Sequence, residues 1–502
     1  MICSDQHTPR VLGAYGNTVV DTPHMDALAS SGCRFDAFYC NNPICAPSRA
    51  SFMTGRHTFK CEVLDNMDVL DSRLPTLAHI AVRGGYHPVL SGKMHFNGPD
   101  QRHGYVERVV GDMGFPGILN GIHRPGRDNP IPAGSLGNCS RPEPLRYTGA
   151  GGNTMVDFDH DVTSGATDWL NYYAQAGPGK PPFLLTVGYL LPHCPFIAPR
   201  EVYDKYEGRV TAEALSPRDL NALHPHHRDY RRYIELDDIP QENFDRAAVA
   251  YYGLVDILDQ NIGKLCASLR DNGLWDNTII MYFSDHGEML GRHGRWHKEC
   301  FFEDSVRVPM IIRHPTKALP SAVAEPCSLV DLLPTLCDFT GVRPPPGIDG
   351  TSLLPLLHGE PAETPRVVKA ESYTFWHEST PDLSANRMIR KGPWKLCYYG
   401  SYDDFELFNL EEDPGETNDL GHSPAHAEIL AELRSLIYED GWSADVPGKV
   451  REKLSAFGWP ENLKEYRDTL RKNPLPSDSP DVWRGPSGEA TWLEPAHYPK
   501  KP

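Results

Sequence analysis

The sequence predicts an α/β fold in which a large mixed, mostly parallel sheet is sandwiched by helices, with a smaller C-terminal subdomain of antiparallel strands and a helix. Two observations predict the large sheet. Apolar, strand-like runs alternate with helical patterns over the first two-thirds of the chain, and these runs end in polar residues. A third observation predicts the subdomain, because short alternating segments from residue 366 onward are typical of antiparallel strands joined by turns.

The strand-like runs carry chemically active side chains where they end. The first segment, "MICSDQ", leads to Asp5 and Gln6. Three later runs lead to further candidates. The run that begins at His87 leads to Lys93 and His95, the run that begins at Phe183 leads to His193, and the run that begins at Thr278 leads to Asp285 and His286. Ligands of parallel sheets bind beyond the carboxyl ends of the strands, so we expect these side chains to meet in one site.

Composition changes predict three parts of the chain. Residues 1–360 form an N-terminal domain that carries the candidate site, and the proline-rich segment 342–359 ends it. Residues 361–445 form the small α+β subdomain, with a helix over Pro424–Gly441. Residues 446–502 lack periodicity, and we expect them to be an extended tail on the surface or across a neighbouring subunit.

Two segments of the N-terminal domain have distinct patterns. Apolar residues at i, i+3 and i+4 predict a long helix over Glu242–Asn272. Residues 201–240 are polar and include the histidine-rich stretch "HPHHRDYRRY". Because this stretch lacks carboxylates in suitable register, it favours an exposed insertion over a metal site.

The bulk composition excludes some partners. The chain has 502 residues, a net charge of −18 and a pI near 5.6, which argue against nucleic acid and against an anionic membrane surface. An anionic substrate would need a local cluster of cations or a metal. The twelve cysteines form no CxxC pair and favour buried thiols in a reducing compartment. With no visible signal peptide, the cytoplasm is favoured, and the periplasm stays open if the N-terminus is truncated.

The stretch "CAPSRASFMTG", from Cys45 to Gly55, predicts a short helix with an unusual N-terminus. Pro47 suits the first helical position and Gly55 the helix end. Cys45 then lies at the positive end of the helix dipole, which favours an anion or a nucleophile of lowered pKa. Arg49, one turn further on, can direct its guanidinium at an oxyanion. The alternative is a buried cysteine at a helix start, with Arg49 in a surface ion pair.

This pattern resembles the Cys-x-Pro-Ser-Arg signature of type I, formylglycine-dependent sulfatases in the alkaline phosphatase superfamily. Other segments resemble the family in the same order: "SDQ", "TPHMDALASSG", "SGKMHF", "LPHCPF", "FSDHGEMLGRHGRWHK" and "ELFNLEEDPGETNDL". The resemblance extends to about Gly441 and implies an alkaline phosphatase-like fold. The sequence is locally similar to choline sulfatases over residues 91–108 and 295–309.

The resemblance implies a mechanism. A separate maturation enzyme would oxidise Cys45 to Cα-formylglycine, whose hydrate attacks sulfur and then expels sulfate. The implied ligands of one divalent metal ion, calcium by default with magnesium or manganese possible, are Asp5, Gln6, Cys45, Asp285 and His286. The implied catalytic residues are Cys45, Arg49, Lys93, His95, His193 and Lys298. Among them, Arg49, Lys93, His193 and Lys298 would form a cationic clamp on the sulfate group. His95 would take a proton from the formylglycine hydrate, and His193, or Lys298 beside it, would assist the leaving alcohol.

The resemblance implies hydrolysis of a sulfate monoester of a carbohydrate or a small alcohol. Alternatives are a choline sulfatase, a phosphonate monoester or phosphodiester hydrolase of the same superfamily, and a non-catalytic protein that binds sulfated ligands. Asn66 is a candidate substrate contact. An aromatic cage for choline has four candidate tryptophans, which are Trp296, Trp376, Trp483 and Trp492. A homo-oligomer is possible.

Overall fold

The computed structural model describes residues 1–112, 139, 142–177, 179–362, 364–374, 384–446 and 448. Its strands are β1 Ile2–Ser4, β2 Cys33–Phe35, β3 Phe38–Tyr39, β4 His87–Gly92, β5 Glu107–Val110, β6 Gly149–Ala150, β7 Phe183–Gly188, β8 Ile197–Ala198, β9 Ile280–Ser284, β10 Met310–Arg313, β11 Ala322–Val323, β12 Cys327–Ser328, β13 Val367–Thr374, β14 Ser384–Lys391, β15 Trp394–Tyr399 and β16 Asp404–Asn409.

The α-helices differ greatly in length. They are α1 Pro23–Ser30, α2 Cys45–Thr54, α3 Thr58–Cys61, α4 Leu77–Arg83, α5 Glu143–Arg146, α6 Thr154–Gln175, α7 Arg200–Tyr206, α8 Pro217–Ala222, α9 Pro225–Tyr233, α10 Gln241–Asp271, α11 Glu303–Val306, α12 Leu332–Thr340, α13 Leu354–Leu357 and α14 Ala427–Leu436. The predicted long helix is α10, one residue earlier than expected at each end.

The central sheet has eight strands in the order β11–β2–β10–β9–β1–β7–β4–β5. Strand β10 runs antiparallel to both of its neighbours, and the other adjacent pairs are parallel. The predicted mixed, mostly parallel sheet is therefore confirmed. Because β9, β1, β7 and β4 are consecutive and parallel, the chain segments that follow them leave the sheet at the same edge.

Each face of the sheet contributes to a separate apolar core. Ile2 lies in one core with residues of α1, α6 and α10, and the next residue, Cys3, lies in the other with residues of α2, α4 and α12. This alternation is what the two-residue period of a strand requires when both faces are covered. The helices thus sandwich the sheet, as the sequence predicts.

The C-terminal part contains a second sheet, with β13, β14, β15 and β16 antiparallel in sequence order. Leu433 of α14 packs in one apolar cluster with Ile389, Leu396 and Leu407 of this sheet. The predicted antiparallel sheet and helix are therefore present. Buried Lys395 lies 3.0 Å from Glu303 of α11, which joins this sheet to the N-terminal part.

The histidine-rich segment is less exposed than the sequence suggests. His226 and His227, in α9, are buried, and His227 Nε2 lies 3.0 Å from Glu406 Oε2 on β16. The prediction of an exposed insertion is therefore wrong for these residues, because Glu406 pairs with His227 and the ring of His226 stacks on Tyr399 of the C-terminal sheet. Nearly all of the predicted tail 446–502 lies outside the described residues, as do Trp376, Trp483 and Trp492. Within the described ranges, no helix has the length and apolar character needed to cross a membrane.

Candidate active site

Asp5 lies at the centre of the candidate site, directly after β1, and is completely buried. Its Oδ2 accepts hydrogen bonds from Lys93 Nζ at 2.6 Å and from Arg49 Nη2 at 3.1 Å. Its Oδ1 lies 3.7 Å from Cys45 Sγ. Burial and Cys45 oppose the charged carboxylate, but Lys93, His193 and Arg49 hold the pKa of Asp5 well below its ordinary value.

Asp285 and His286 follow β9, the strand beside β1, and both are completely buried. Asp285 Oδ1 accepts the backbone N–H of Gln6 at 3.2 Å and Oδ2 accepts Arg49 Nε at 2.8 Å. His286 Nδ1 donates to the carbonyl of Gly287 at 3.1 Å. The carbonyl can only accept, so in the neutral ring Nε2 carries a lone pair, and it lies 3.2 Å from Cys45 Sγ.

Helix α2 brings Cys45 to this pair. Cys45 is the first residue of the helix, so Pro47 is its third residue and the prediction of Pro47 at the first position is wrong. Proline is tolerated there because the first-turn N–H groups have no partner within the helix. Gly55 ends the helix at φ 67°, as expected.

Asn66 contacts the start of the same helix. Its Oδ1 accepts the backbone N–H of Ala46 at 2.9 Å, and its own carbonyl accepts Asn97 Nδ2 at 2.8 Å. The side chain thus satisfies a donor at the helix N-terminus, next to Cys45. Its predicted contact with substrate stays a prediction.

Two lysines and a histidine surround Cys45 and Asp5, and all three are buried. Lys298 Nζ donates to Gln6 Oε1 at 2.6 Å and lies 3.5 Å from Cys45 Sγ. His193 Nε2 lies 4.0 Å from Asp5 Oδ1. Burial and Lys298 lower the pKa of His193, but Cys139 and Asp5 outweigh them and raise it to about 10. Burial opposes a Cys45 thiolate, yet Lys298, Lys93 and His286 hold the pKa of that thiol well below its ordinary value.

Arg49 bonds to both carboxylates of the site, and its predicted contact with sulfate stays a prediction. Its three nitrogens donate to Asp5 Oδ2, Asp285 Oδ2 and the carbonyl of Lys93, and 1% of its surface is exposed. With the whole guanidinium engaged in this way, Arg49 fixes the two carboxylates. The lysine charges that favour a Cys45 thiolate are those of Lys298 and Lys93.

Gln6 is held at both ends of its amide. Its Nε2 donates to Glu288 Oε2 at 2.5 Å while its Oε1 accepts Lys298 Nζ. Glu288 is completely buried, and its other oxygen accepts the backbone N–H groups of Leu290 and His297. Sequence reasoning missed Glu288, although it belongs to the quoted segment "FSDHGEMLGRHGRWHK".

His95 lies two residues beyond Lys93, and it is 7% exposed. Its backbone has φ 60° and its N–H donates to Asp112 Oδ2 at 2.6 Å. Asp112 also accepts the N–H of Met94 at 3.0 Å, so one carboxylate sets the direction of this loop. Sequence reasoning missed Asp112, which no motif marks.

The donor set fits a divalent cation. One donor atom from each of Asp5, Cys45, Asp285 and His286 lies within 4.8 Å of the others, and all four residues are buried. Two carboxylates and one imidazole nitrogen suit a hard or intermediate divalent ion. The backbone and guanidinium bonds to the carboxylates, and the bond from His286 Nδ1, orient the ligands as the outer contacts of metal sites do.

Comparison with known proteins identifies the family to which the chain belongs. Residues 2–342 match the family model described as Sulfatase. The chain belongs to the sulfatase family. Residues 291–440 of this sulfatase also match a model described as N-sulphoglucosamine sulphohydrolase, C-terminal. The predicted family resemblance is thereby confirmed, and the protein is a sulfuric ester hydrolase.

Two curated sulfatases illustrate the range of relatives. A choline-sulfatase of Rhizobium meliloti is 34% identical over 423 residues, which cover 80% of this chain and 78% of that protein. An N-acetylglucosamine-6-O-sulfatase of Bacteroides thetaiotaomicron is 28% identical, with 87% of this sulfatase and 84% of the relative covered.

Among solved structures, the phosphonate monoester hydrolase of Agrobacterium radiobacter has a TM-score of 0.71 at 24% identity. The comparison covers 88% of this sulfatase and 94% of that chain. At this identity the likeness concerns the fold alone, and it confirms the predicted fold class.

Proposed function

We propose that the protein hydrolyses a sulfate monoester of a small alcohol or a carbohydrate, and that Cys45 is the residue converted to formylglycine. The observation that carries this proposal is the surroundings of Cys45 Sγ. His286 Nε2, Lys298 Nζ and Asp5 Oδ1 lie 3.2, 3.5 and 3.7 Å from it. A nucleophile derived from this position therefore lies close to two candidate metal ligands and to one ammonium group.

The ion would be held by Asp5, Asp285 and His286, with Gln6 as a neutral oxygen donor. Calcium is the ion that the family resemblance implies, and the two carboxylates suit it; magnesium or manganese are the alternatives. When bound, the ion supplies Lewis acidity at the nucleophile and at a sulfate oxygen. Arg49 contributes by holding both carboxylates in place.

The other charged residues act on the sulfate group and the leaving alcohol. Lys298 and Lys93 bind sulfate oxygens and stabilise the negative charge that develops in the transition state. His193, with its pKa raised to about 10, carries a proton at neutral pH and donates it to the leaving oxygen. His95 takes up a proton in the step that releases sulfate. Formylglycine, once formed, supplies an aldehyde, and the hydrate of this aldehyde is the nucleophile. The aldehyde is regenerated at the end of the cycle.

Choline sulfate is the first substrate to test among small alcohol sulfates. The relative at 34% identity is a choline-sulfatase, and the local similarity over residues 91–108 and 295–309 agrees with it. Trp296, one of the candidate cage residues, is 2% exposed and stacks on Phe244, so a cage would need other aromatic groups. Carbohydrate sulfates are supported by the N-acetylglucosamine-6-O-sulfatase relative.

The decisive experiment measures sulfate release by protein co-expressed with a formylglycine-generating maturation enzyme. The panel contains choline sulfate, N-acetylglucosamine-6-sulfate, an aryl sulfate and an aryl phosphonate monoester. We expect a sulfate ester to be turned over with the highest kcat/KM, because Lys93 and His95 are both retained at the positions where the phosphonate subgroup differs. A preference for the phosphonate would favour the alternative hydrolase. Binding without turnover by protein that carries formylglycine would favour a non-catalytic sulfate-binding protein.

Two further properties are proposed with the function. The twelve cysteines are all free and buried, which supports a reducing compartment such as the cytoplasm. A homo-oligomer is compatible with a tail that reaches a neighbouring subunit, and sedimentation of the purified protein tests it.

A further inference from the structure

A second group of metal-binding side chains lies beside the sulfate site. It consists of Cys139, Cys194 and His297, and one donor atom of each lies within 4.8 Å of the others. The two sulfurs are 3.2 Å apart. The three residues are 7%, 0% and 1% exposed. Cys194 directly follows His193, and His297 directly precedes Lys298, so this thiol cluster shares its chain segments with the sulfate site.

The ring of His297 is buried beside the two sulfurs. Among the described residues neither Nδ1 nor Nε2 of His297 has a hydrogen-bond partner. The ring stacks on Phe196, with centroids 5.6 Å apart and planes 10° apart. Its backbone is fixed at φ 63°, and its N–H donates to Glu288 Oε1 at 2.7 Å. A buried imidazole without partners costs free energy, and a metal bound to its nitrogen would recover that cost.

His193 offers a fourth donor. Its Nδ1 donates to the carbonyl of Cys194 at 2.6 Å, which is the outer contact that metal-binding histidines commonly make. In the neutral ring, Nε2 then carries a lone pair, and it lies 3.6 Å from Cys139 Sγ. The same nitrogen is 4.0 Å from Asp5 Oδ1, so His193 lies between the thiol cluster and the ligands of the catalytic metal.

We propose that Cys139, Cys194, His297 and His193 form a site for a thiophilic divalent cation, of which Zn²⁺ is the natural example. Two sulfurs and two imidazole nitrogens form the common tetrahedral zinc set, with Zn–S near 2.3 Å and Zn–N near 2.0–2.1 Å. A tetrahedron with these bonds separates its sulfurs by about 3.8 Å, so the 3.2 Å pair has to open by about 0.6 Å. Zn²⁺ displaces two protons, one from the Cys194 thiol and one from Nε2 of His193, and both leave to solvent. Cys139, with its pKa held well below the ordinary value, already carries the negative charge that balances protonated His193, so the net charge of the buried cluster does not change.

The donor chemistry separates this site from the catalytic one. Asp5 and Asp285 supply carboxylate oxygens that suit calcium, whereas the thiol cluster supplies two sulfurs that calcium does not bind. The consequence for activity rests on the proposed function: Zn²⁺ at this site occupies Nε2 of His193, the atom that would otherwise contact the leaving alcohol. Zinc would therefore inhibit turnover without displacing calcium.

The test uses Co²⁺ as a spectroscopic probe in full-length protein that carries Cys45→Ala, with excess calcium present to occupy the carboxylate ligands. We expect one equivalent of Co²⁺ to give a thiolate-to-cobalt charge-transfer band in the near ultraviolet, and Zn²⁺ to remove it. Cys194→Ala and, as a second variant, His297→Phe should weaken Co²⁺ binding at least 100-fold. Cys266→Ala, which removes a buried thiol from α10, should leave it unchanged. Thermal unfolding of each variant shows that it is folded.

Absence of the band, or a band that persists at full strength in both cluster variants, overturns the inference. A disulfide between Cys139 and Cys194 in freshly purified, unreduced protein also overturns it. The cobalt signal does not depend on catalysis, so failure of the proposed function is recognised separately, by the absence of sulfate release from matured protein. In active enzyme, Zn²⁺ should inhibit wild type at least tenfold more strongly than Cys194→Ala.

Discussion

Arg49 Nε donates to Asp285 Oδ2 at 2.8 Å, and neither side chain has more than 1% of its surface exposed. The same guanidinium reaches Asp5 at 3.1 Å, so one cation from the second turn of α2 holds the carboxylates that follow two neighbouring strands. A buried pair of this kind contributes little net stability when intact, but losing one partner leaves an uncompensated charge. The arrangement ties helix α2, and therefore Cys45, to the metal ligands.

Replacing Arg49 with Met should destabilise the protein by about 3–5 kcal/mol in the absence of metal, because Asp5 and Asp285 then lose their shared cation. Calcium should recover part of this loss, since the ion takes over the neutralising role. Chemical unfolding with and without calcium measures both effects. The matched control is Arg73→Met, which removes an exposed arginine paired with Asp71 and should leave unfolding unchanged. Equal effects of the two substitutions would contradict the role of Arg49.

Replacing Cys45 with Ala should abolish sulfate release and leave the fold intact. The thiol is the precursor of the proposed nucleophile, while the β-carbon that α2 packs is retained. Steady-state assays and circular dichroism measure the two properties. In wild type co-expressed with the maturation enzyme, mass spectrometry of the Cys45 peptide should detect an aldehyde that reacts with a hydrazide probe. A Cys45→Ala variant with more than a trace of wild-type rate would rule out this mechanism.

The convergence of the site could be predicted from the sequence because it follows from sheet topology. Asp5, Lys93, His193 and Asp285 each follow a strand, and the strands β9, β1, β7 and β4 are adjacent and parallel. Recognising from the sequence where a strand ends therefore also predicts that the residue after it lies at the shared edge of the sheet.

Features set by pairing between distant segments could not be predicted in the same way. Gln6 and Glu288 are 282 residues apart, and nothing near either residue specifies their hydrogen bond. His227 belongs to a polar segment that suggests surface exposure. In the structure it is buried and pairs with Glu406 of the C-terminal sheet. The engagement of Arg49 by two carboxylates also depends on tertiary packing, so the motif alone suggested a substrate contact.

The buried contact between Glu288 and Gln6 should position Lys298. In Glu288→Gln, an NH₂ group can replace the acceptor that faces Gln6 Nε2, so the Gln6 amide is expected to turn and present its own NH₂ to Lys298. Lys298 would then lose its acceptor, and we expect kcat to fall at least tenfold with a smaller change in KM. Steady-state kinetics on the best substrate of the panel measure this split.

Exchanging the two side chains tests whether the loss of kcat in Glu288→Gln arises from the hydrogen bond between residues 6 and 288. A double variant, Gln6→Glu with Glu288→Gln, restores a donor at position 288 facing an acceptor at position 6 and again offers Lys298 an oxygen. It should recover part of the kcat lost in Glu288→Gln, which is the coupling that a double-mutant cycle detects. If the double variant is no better than the product of the single losses, Glu288 has a different role.

His57 should make stability depend on pH between pH 7 and pH 5. Burial is the largest cause of its lowered pKa, which falls to about 4 in the folded protein from 6.5 in the unfolded chain. In that window the unfolded chain binds a proton that the folded protein does not, so stability rises with pH and is lost as pH falls. At about 1.4 kcal/mol per pKa unit, lowering the pH from 7 to 5 should cost about 2 kcal/mol through this residue. Urea unfolding of wild type and His57→Gln at both pH values isolates the contribution, since glutamine does not titrate. A His57→Gln variant that loses as much stability as wild type over this interval would show that His57 does not titrate with the lowered pKa.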